Sequence, residues 1–290
     1  MHRWMAVPEW QWKASFLLLP ALAFTALPAS ARRIEKQFKV DGHPMVAIHS
    51  PNGTITVKAW TKSEVLVIAE IPSDRVDLGA VQNGDRVDIG TRLLTANVSP
   101  ADVHADYQID VPENSELQIH NDQGAVSVAY VLGDMNIETV AAGIDLQDVA
   151  GYLTVRTAAG SFSCLRCAGR IEAHAISGNL SFVDTRSTQI QASTITGNIV
   201  FSGQFLPEGQ YNLKNYSGVI DLRYLPGDSF DLSATSLKGK VNNEAKLSRE
   251  NRSLDSAPRG AETFFGTLNT AGRAHVELSS FDGTINIVKR

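Results

Sequence analysis

Residues 124–183 read GAVSVAYVLGDMNIETVAAGIDLQDVAGYLTVRTAAGSFSCLRCAGRIEAHAISGNLSFV, and this stretch decides the fold. A glycine opens one short alternating segment after another: GAVSV at Gly124, GYLTV at Gly151, GSFSC at Gly160, GRIEA at Gly169 and GNLSF at Gly178. The series continues with GNIVF at Gly197, GVIDL at Gly218 and GTINI at Gly283. Apolar residues fill the second and fourth places after each glycine, mostly with a polar residue between them. A period of two is the signature of a strand with one buried face and one wet face. Glycine before each strand suits a sharp corner that needs positive φ.

The spacing between strands is as informative as the strands. The first inward residues of alternate segments are Leu117, Met135, Leu153, Ile171, Ile190, Tyr211 and Phe230, with steps of 18, 18, 18, 19, 21 and 19. The interleaved set is Val126, Ile144, Phe162, Leu180, Ile199, Ile220 and Val241, with steps of 18, 18, 18, 19, 21 and 21. Two interleaved rows sharing one step predict an all-β chain forming a single β-solenoid. Each coil of about 18–21 residues would carry two short parallel strands, stable only as a stack. A sandwich of hairpins does not require so constant a step. The gaps leave no room for the crossover of a dozen or more residues that a βαβ unit needs.

Around this core the pattern divides the chain. Residues 1–31 form an export leader: Arg3 and Lys13 flank the polar start, Ala14 to Leu27 is an apolar run broken by Pro20, and Ala29-Ser30-Ala31 is a small-residue cleavage site. The run falls short of the roughly 20 residues a membrane span needs. No Cys stands at the site to carry a lipid. Residues 32–112 hold longer, less regular strands and read as an N-terminal β cap. Residues 113–243 are the solenoid core. In 244–290 a polar loop over 244–262 precedes strands at Ala274–Leu278 and Gly283–Val288 that are expected to close the far end. Residues 32–290 read as one continuous domain, with no later membrane-spanning run.

Composition narrows function. The net charge of −5 becomes about −6 once Arg3, Lys13 and Glu9 leave with the leader. With charges scattered, the chain lacks the basic stripe that tracks nucleic acid. Three of the four Trp lie in the leader, leaving Trp60. Cys164 and Cys167 are the only cysteines; they read as a buried thiol pair or a local disulfide. A redox role needs a βαβ context, and a zinc site needs ligands beyond the nearby His174.

A β-helix enzyme would need converging carboxylates. The outward residues of the first row are Gln118, Asn136, Thr154, Glu172, Gln191, Asn212 and Asp231. Those of the second are Ser127, Asp145, Ser163, Ser181, Val200, Asp221 and Asn242. At about 4.8 Å per coil, Glu172 and Asp231 lie roughly 14 Å apart, and Asp145 and Asp221 roughly 19 Å apart. A glycosidase pair needs about 5–9.5 Å. Asp122, Asp148 and Asp184 remain as corner carboxylates. His120 with Asp122, and His49 beside Pro51-Asn52-Gly53, read as turn-formers. Gly227-Asp228-Ser229-Phe230 is like the opening of a GDSL hydrolase but stands at a coil corner, with no D-x-x-H after it. No catalytic, cofactor-binding or metal-binding residues are assigned, and no cofactor is expected.

From Val111-Pro112 onward the units HNDQGAVSV, RTAAGSFSC, HAISGNLSF, STITGNIVF, KNYSGVIDL and SSFDGTINI, with SPNGTITV before them, resemble the bacterial putative-adhesin domain family of unknown function. The resemblance covers most of 45–290. It implies an exported Gly-turned β-solenoid and supplies no catalytic residues. The reading is an exported, non-catalytic cell-envelope or surface protein, periplasmic, surface-bound or extracellular, whose polar faces contact an envelope protein or glycan. The alternatives are a carbohydrate-active β-helix lyase or hydrolase with a loop-built site, and an accessory that signals envelope state.

Overall fold

The computed structural model describes residues 31–96, 99–245, 247, 260–269 and 273–290. The leader over 1–31 lies outside the described residues except for Ala31, as do residues 246 and 248–259 of the expected polar loop. Among the described residues the protein is all-β: apart from one 3-10 turn, Pro100–Val103, the regular elements are strands joined in a 21-stranded sheet.

Strand pairing follows the sequence steps through the middle of the chain. Leu117 pairs with Met135, then Leu153, Ile171, Ile190 and Tyr211, all in parallel register. The second row runs Val126, Ile144, Phe162, Leu180, Ile199 and Ile220, also parallel. Three long strands, Met45–Trp60, Glu116–Ala129 and Met135–Gln147, contribute to both rows and so link them into one sheet. The inward side chains of both rows belong to one continuous core, with Phe162, Phe182, Phe201, Tyr211 and Phe230 almost wholly buried. Each such side chain contributes about 1.5–3 kcal/mol on removal from water.

Both ends depart from chain order. Ala274–Ser280 does not close the far end. It pairs with Gln210–Ser217 on one side and Phe230–Ser236 on the other, parallel to both. Likewise Thr284–Lys289 lies between Val219–Tyr224 and Lys240–Asn243. The C-terminal strands are therefore inserted one level inside the stack, and Glu262–Leu268 runs antiparallel along Phe230–Ser236. The expected step from Tyr211 to Phe230 fails: Tyr211 meets Val276, which in turn meets Leu232. Parallel pairing is decided by which apolar edges match, and a long connection adds little to the entropy of closure. At the other end Met45–Trp60 is itself a level of the stack, between Glu116–Ala129 and the strands Arg86–Leu93 and Asp106–Pro112.

Glycine does more than the corner conformation asks of it. Gly124, Gly151, Gly169, Gly197 and Gly218 have the positive φ expected of them, but Gly160, Gly178 and Gly283 do not. What these positions share is close stacking. A methyl group on Gly178 would fall on the backbone oxygen of Gly160, one on Gly197 on that of Gly178, and one on Gly283 on that of Gly218. Three residues before the column runs a second, buried and mostly polar one. Thr139 and Thr157 sit 2.9 Å apart through their hydroxyls, Asn121 donates to the Gly53 carbonyl at 3.2 Å, Thr194 to that of Gly178 at 3.2 Å and Ser236 to that of Gly283 at 2.7 Å. Asn121, Thr194 and Ser236 thereby satisfy backbone carbonyls of the glycine column.

At the opposite corner four successive levels carry a left-handed residue that is not glycine: Tyr130, Asp148, Arg166 and Asp184, with φ between 50° and 65°. The residue after each points inward: Val131, Val149, Cys167 and Thr185 are all buried. Cys167 is joined to Cys164, which resolves the alternative left open by the sequence in favour of a local disulfide.

Candidate functional site

Alternation leaves two outward faces. On the first, Gln118, Asn136, Thr154, Glu172, Gln191 and Asn212 stand in one row, as the period of two predicts. The row then continues to Glu277 and Ser233 rather than Asp231, because of the inserted strand. One step along each strand, a parallel row holds His49, His120, Glu138, Arg156, His174, Ser193 and Lys214. Its members interact from level to level. His49 stacks on His120 at 5.0 Å, Arg156 reaches Glu138 at 3.5 Å, and His174 Nδ1 lies 2.7 Å from Ser193 Oγ.

His49 and His120 lie within strands Met45–Trp60 and Glu116–Ala129 rather than in turns, which corrects their reading as turn-formers. Each occupies an outward strand position, where alternation exposes its ring. With Asp88, Gln118, Asn136 and Glu138 they line a shallow hollow of about 390 Å³. A second hollow of about 290 Å³ is lined by Gln210, Asn212, Asp231, Thr267, His275 and Glu277. The second face ends in a side-chain chain in which Asn242 donates to Asn286 at 2.9 Å and Asn286 donates to Asp221 at 2.8 Å.

Several of the acidic residues are held by cations, which sets their chemistry. Arg166 grips Asp148 with two bonds of 2.6 Å, and Arg290 reaches Asp184 at 2.7 Å. The bond from Arg166 is the main reason the Asp148 carboxyl falls below its ordinary range. Burial alone would push Glu172 up, but bonds from Arg170 and Tyr152 and the Arg170 charge outweigh it and leave the carboxyl low. A general acid needs the opposite shift. Asp148 and Asp184 stand two levels apart with Arg166 between them, while Asp122 lies at the glycine corner, bonded to His120 at 3.1 Å. The structure therefore does not bring the three corner carboxylates together. Asp231 is engaged by Arg273 at 3.2 Å and Thr267 at 2.8 Å.

Asp228, in the Gly-Asp-Ser-Phe segment, has a raised pKa, as does Asp110: burial drives Asp228 up against backbone bonds from Leu225 and Phe205, and Asp110 up against the charges of Lys58 and Lys62. Asp228 accepts the Leu225 N–H at 2.6 Å and ties its own turn, so its neighbours are backbone groups rather than a nucleophile. His174 stands on the outer face whereas Cys164 and Cys167 are both buried and joined, so the three do not form a ligand set. Among the described residues no group of three His, Cys, Asp or Glu is placed to hold a metal ion, and no helix is long and apolar enough to cross a membrane.

No family model and no curated protein matches the chain. Solved structures similar to it include a "putative cell adhesion protein" from Clostridium sporogenes, at 10% identity over 90% of this chain and 100% of that one, with a TM-score of 0.25. A "putative adhesin" from Bacteroides fragilis is 11% identical over 90% and 99%, with a TM-score of 0.43. A "putative lipid binding protein" from Parabacteroides distasonis is 12% identical over 88% and 96%, with a TM-score of 0.24. The chain is thus similar to solved structures that include adhesins so described, the class its glycine-led units also resemble.

Proposed function

We propose that the protein is an exported, non-catalytic envelope or surface module, built as a β-solenoid with two short parallel strands per coil, whose first outward face binds an envelope glycan. The parallel registers at a near-constant offset support the solenoid reading. The observation that carries the function is the row Gln118, Asn136, Thr154, Gln191 and Asn212. It presents uncharged amide and hydroxyl groups at five of six levels spaced about 4.8 Å apart, with Thr154 largely covered and Glu172 at the remaining level, beside the imidazoles of His49, His120 and His174. Such groups match hydroxyls of a polymer without committing a charge. The neighbouring carboxylates are held low or tied to arginines, the state that recognition tolerates and acid catalysis does not.

The test is a binding and turnover screen of the protein, purified as the cell processes it, against envelope glycans and peptidoglycan, with products read by mass spectrometry. Binding without turnover, weakened by Gln118→Ala with Asn136→Ala, is the expected result. Release of cleaved sugar would overturn the non-catalytic reading, and absence of glycan binding would overturn the choice of partner.

A further inference from the structure

The glycine corner carries a row of exposed and half-buried apolar side chains that the core does not use. Two residues before the glycine position of each level stand Val140, Ala158, Ile176, Ile195, Tyr216, Phe281 and Leu237. The flanking registers align them level by level, since Ala175 and Ser177 pair with Thr194 and Thr196, which pair with Asn215 and Ser217. Tyr216 and Phe281 stack at 4.5 Å. Val140 is 49% exposed, Ile176 58%, Ile195 52% and Tyr216 52%. Six steps of about 4.8 Å make the row about 29 Å long. Beside the first five stand Ala141, Ala159, Ser177, Thr196 and Ser217, which carry no charge, and beside Phe281 and Leu237 stand Asp282 and Lys238. A continuous exposed apolar row of this kind marks an interaction surface.

The order of residues along the row indicates what covers it. One end is acidic, because Asp122 precedes Val140 in the same column. The other end carries Lys238, which follows Leu237 and lies over the Phe281 ring at 4.7 Å, with Asp282 on the neighbouring level. Turn a second copy end for end about an axis between Ile176 and Ile195, and every level finds a fitting mate. Ile176 meets Ile195 of the partner subunit. Ala158, the smallest member, meets the partner subunit's Tyr216. Val140 meets the partner subunit's Phe281, and Asp122 meets the partner subunit's Lys238. In the parallel arrangement Asp122 would face its own copy, and the large Tyr216 and Phe281 would also face copies of themselves.

We infer that this corner is the seam of a two-fold symmetric, antiparallel dimer of the chain. An isologous interface requires a self-complementary patch, and this row is self-complementary in size about its own midpoint, with Asp122 set against Lys238. The seam is narrow, so the association is concentration-dependent. It leaves the polar first face free, and doubling that face would raise its avidity for a repeating partner.

Sedimentation velocity over a concentration series, on the protein as the cell processes it, tests the inference. A dimer is expected by about 100 µM, well above a micromolar Kd. Ile195→Asp, at an exposed position that the fold tolerates, should raise the Kd by more than about 100-fold by placing a charge in an apolar seam. Asp122→Lys and Lys238→Asp should each weaken the dimer, and the two together should restore it. A monomer throughout the series, a dimer indifferent to Ile195→Asp, or single reversals that the double variant fails to rescue would each overturn the proposal. So would a monomeric chain that uses the same row to sediment with lipid vesicles.

Discussion

Tyr216 and Phe281 stack face to face, with ring centroids 4.5 Å apart and planes 10° from parallel, although the chain makes another level of strands between them in sequence. That contact expresses the insertion of the C-terminal strands into the stack. Val276 and Leu278 are almost fully buried between the level of Tyr211 and Leu213 and that of Leu232 and Ala234.

An inserted level should be as costly to damage as a central one. Leu278→Ala is expected to lower stability by about 2–5 kcal/mol, comparable to Leu213→Ala, because each opens a cavity inside the same core. Urea denaturation gives the comparison. A loss well under 1 kcal/mol for Leu278→Ala alone would mean that the C-terminal strands lie on the stack rather than in it.

The glycine column separates two explanations of the same residue. Gly178 has no positive φ, yet a Cβ there meets the Gly160 carbonyl. Gly178→Ala should therefore cost at least about 2 kcal/mol through overpacking. Gly143 lies in a strand with nothing near the place a Cβ would take. Gly143→Ala should be neutral or stabilising by up to about 1 kcal/mol, since alanine restricts the unfolded chain more. Thermal unfolding of the two variants decides, and equal effects would sink the stacking account.

How much of this was legible beforehand follows from what periodicity can encode. Steps of 18 residues from Leu117 to Ile171 report which residues share a row, because each parallel register pairs residues at that same offset. They are blind to chain order, so the place of Ala274–Ser280 between two earlier levels left no trace, and the outward row was continued to Asp231 instead of Glu277. The left-handed corner of Tyr130, Asp148, Arg166 and Asp184 was hidden because none is glycine; the buried residue after each is the signal that marks it. The two outward faces could be read from alternation alone. The ties among their side chains, such as His49 on His120, depend on neighbouring levels and needed the structure.

The buried polar column offers a further check. Thr139 and Thr157 bond to each other at 2.9 Å inside the corner. Thr139→Val removes one partner and leaves the other with an unmet hydroxyl, an expected loss of about 1–3 kcal/mol. The double variant Thr139→Val with Thr157→Val removes both and should recover part of that loss. Denaturant midpoints for the singles and the double give the coupling, and strict additivity would mean the contact contributes nothing.

Two aspartates predict opposite responses to pH. Asp148 is held low chiefly by the hydrogen bonds from Arg166, then by Gln147. Its folded state favours the ionised form, so its stabilisation is present above the ordinary value of 3.8 and is lost as pH falls through and below it. Asp148→Asn should therefore flatten the acid limb of the stability curve while lowering stability at neutral pH. Asp228 is pushed up by burial, so its folded state favours the protonated form. The stability it contributes is present below 3.8 and lost as pH rises through the raised value. Asp228→Asn keeps an oxygen to accept the Leu225 N–H and removes the buried charge, so it should match or exceed the parent protein at neutral pH. Melting temperatures measured from pH 3 upward separate the two, and a shared direction for both variants at neutral pH would contradict the assignment of one carboxylate to an arginine clasp and the other to a dry turn.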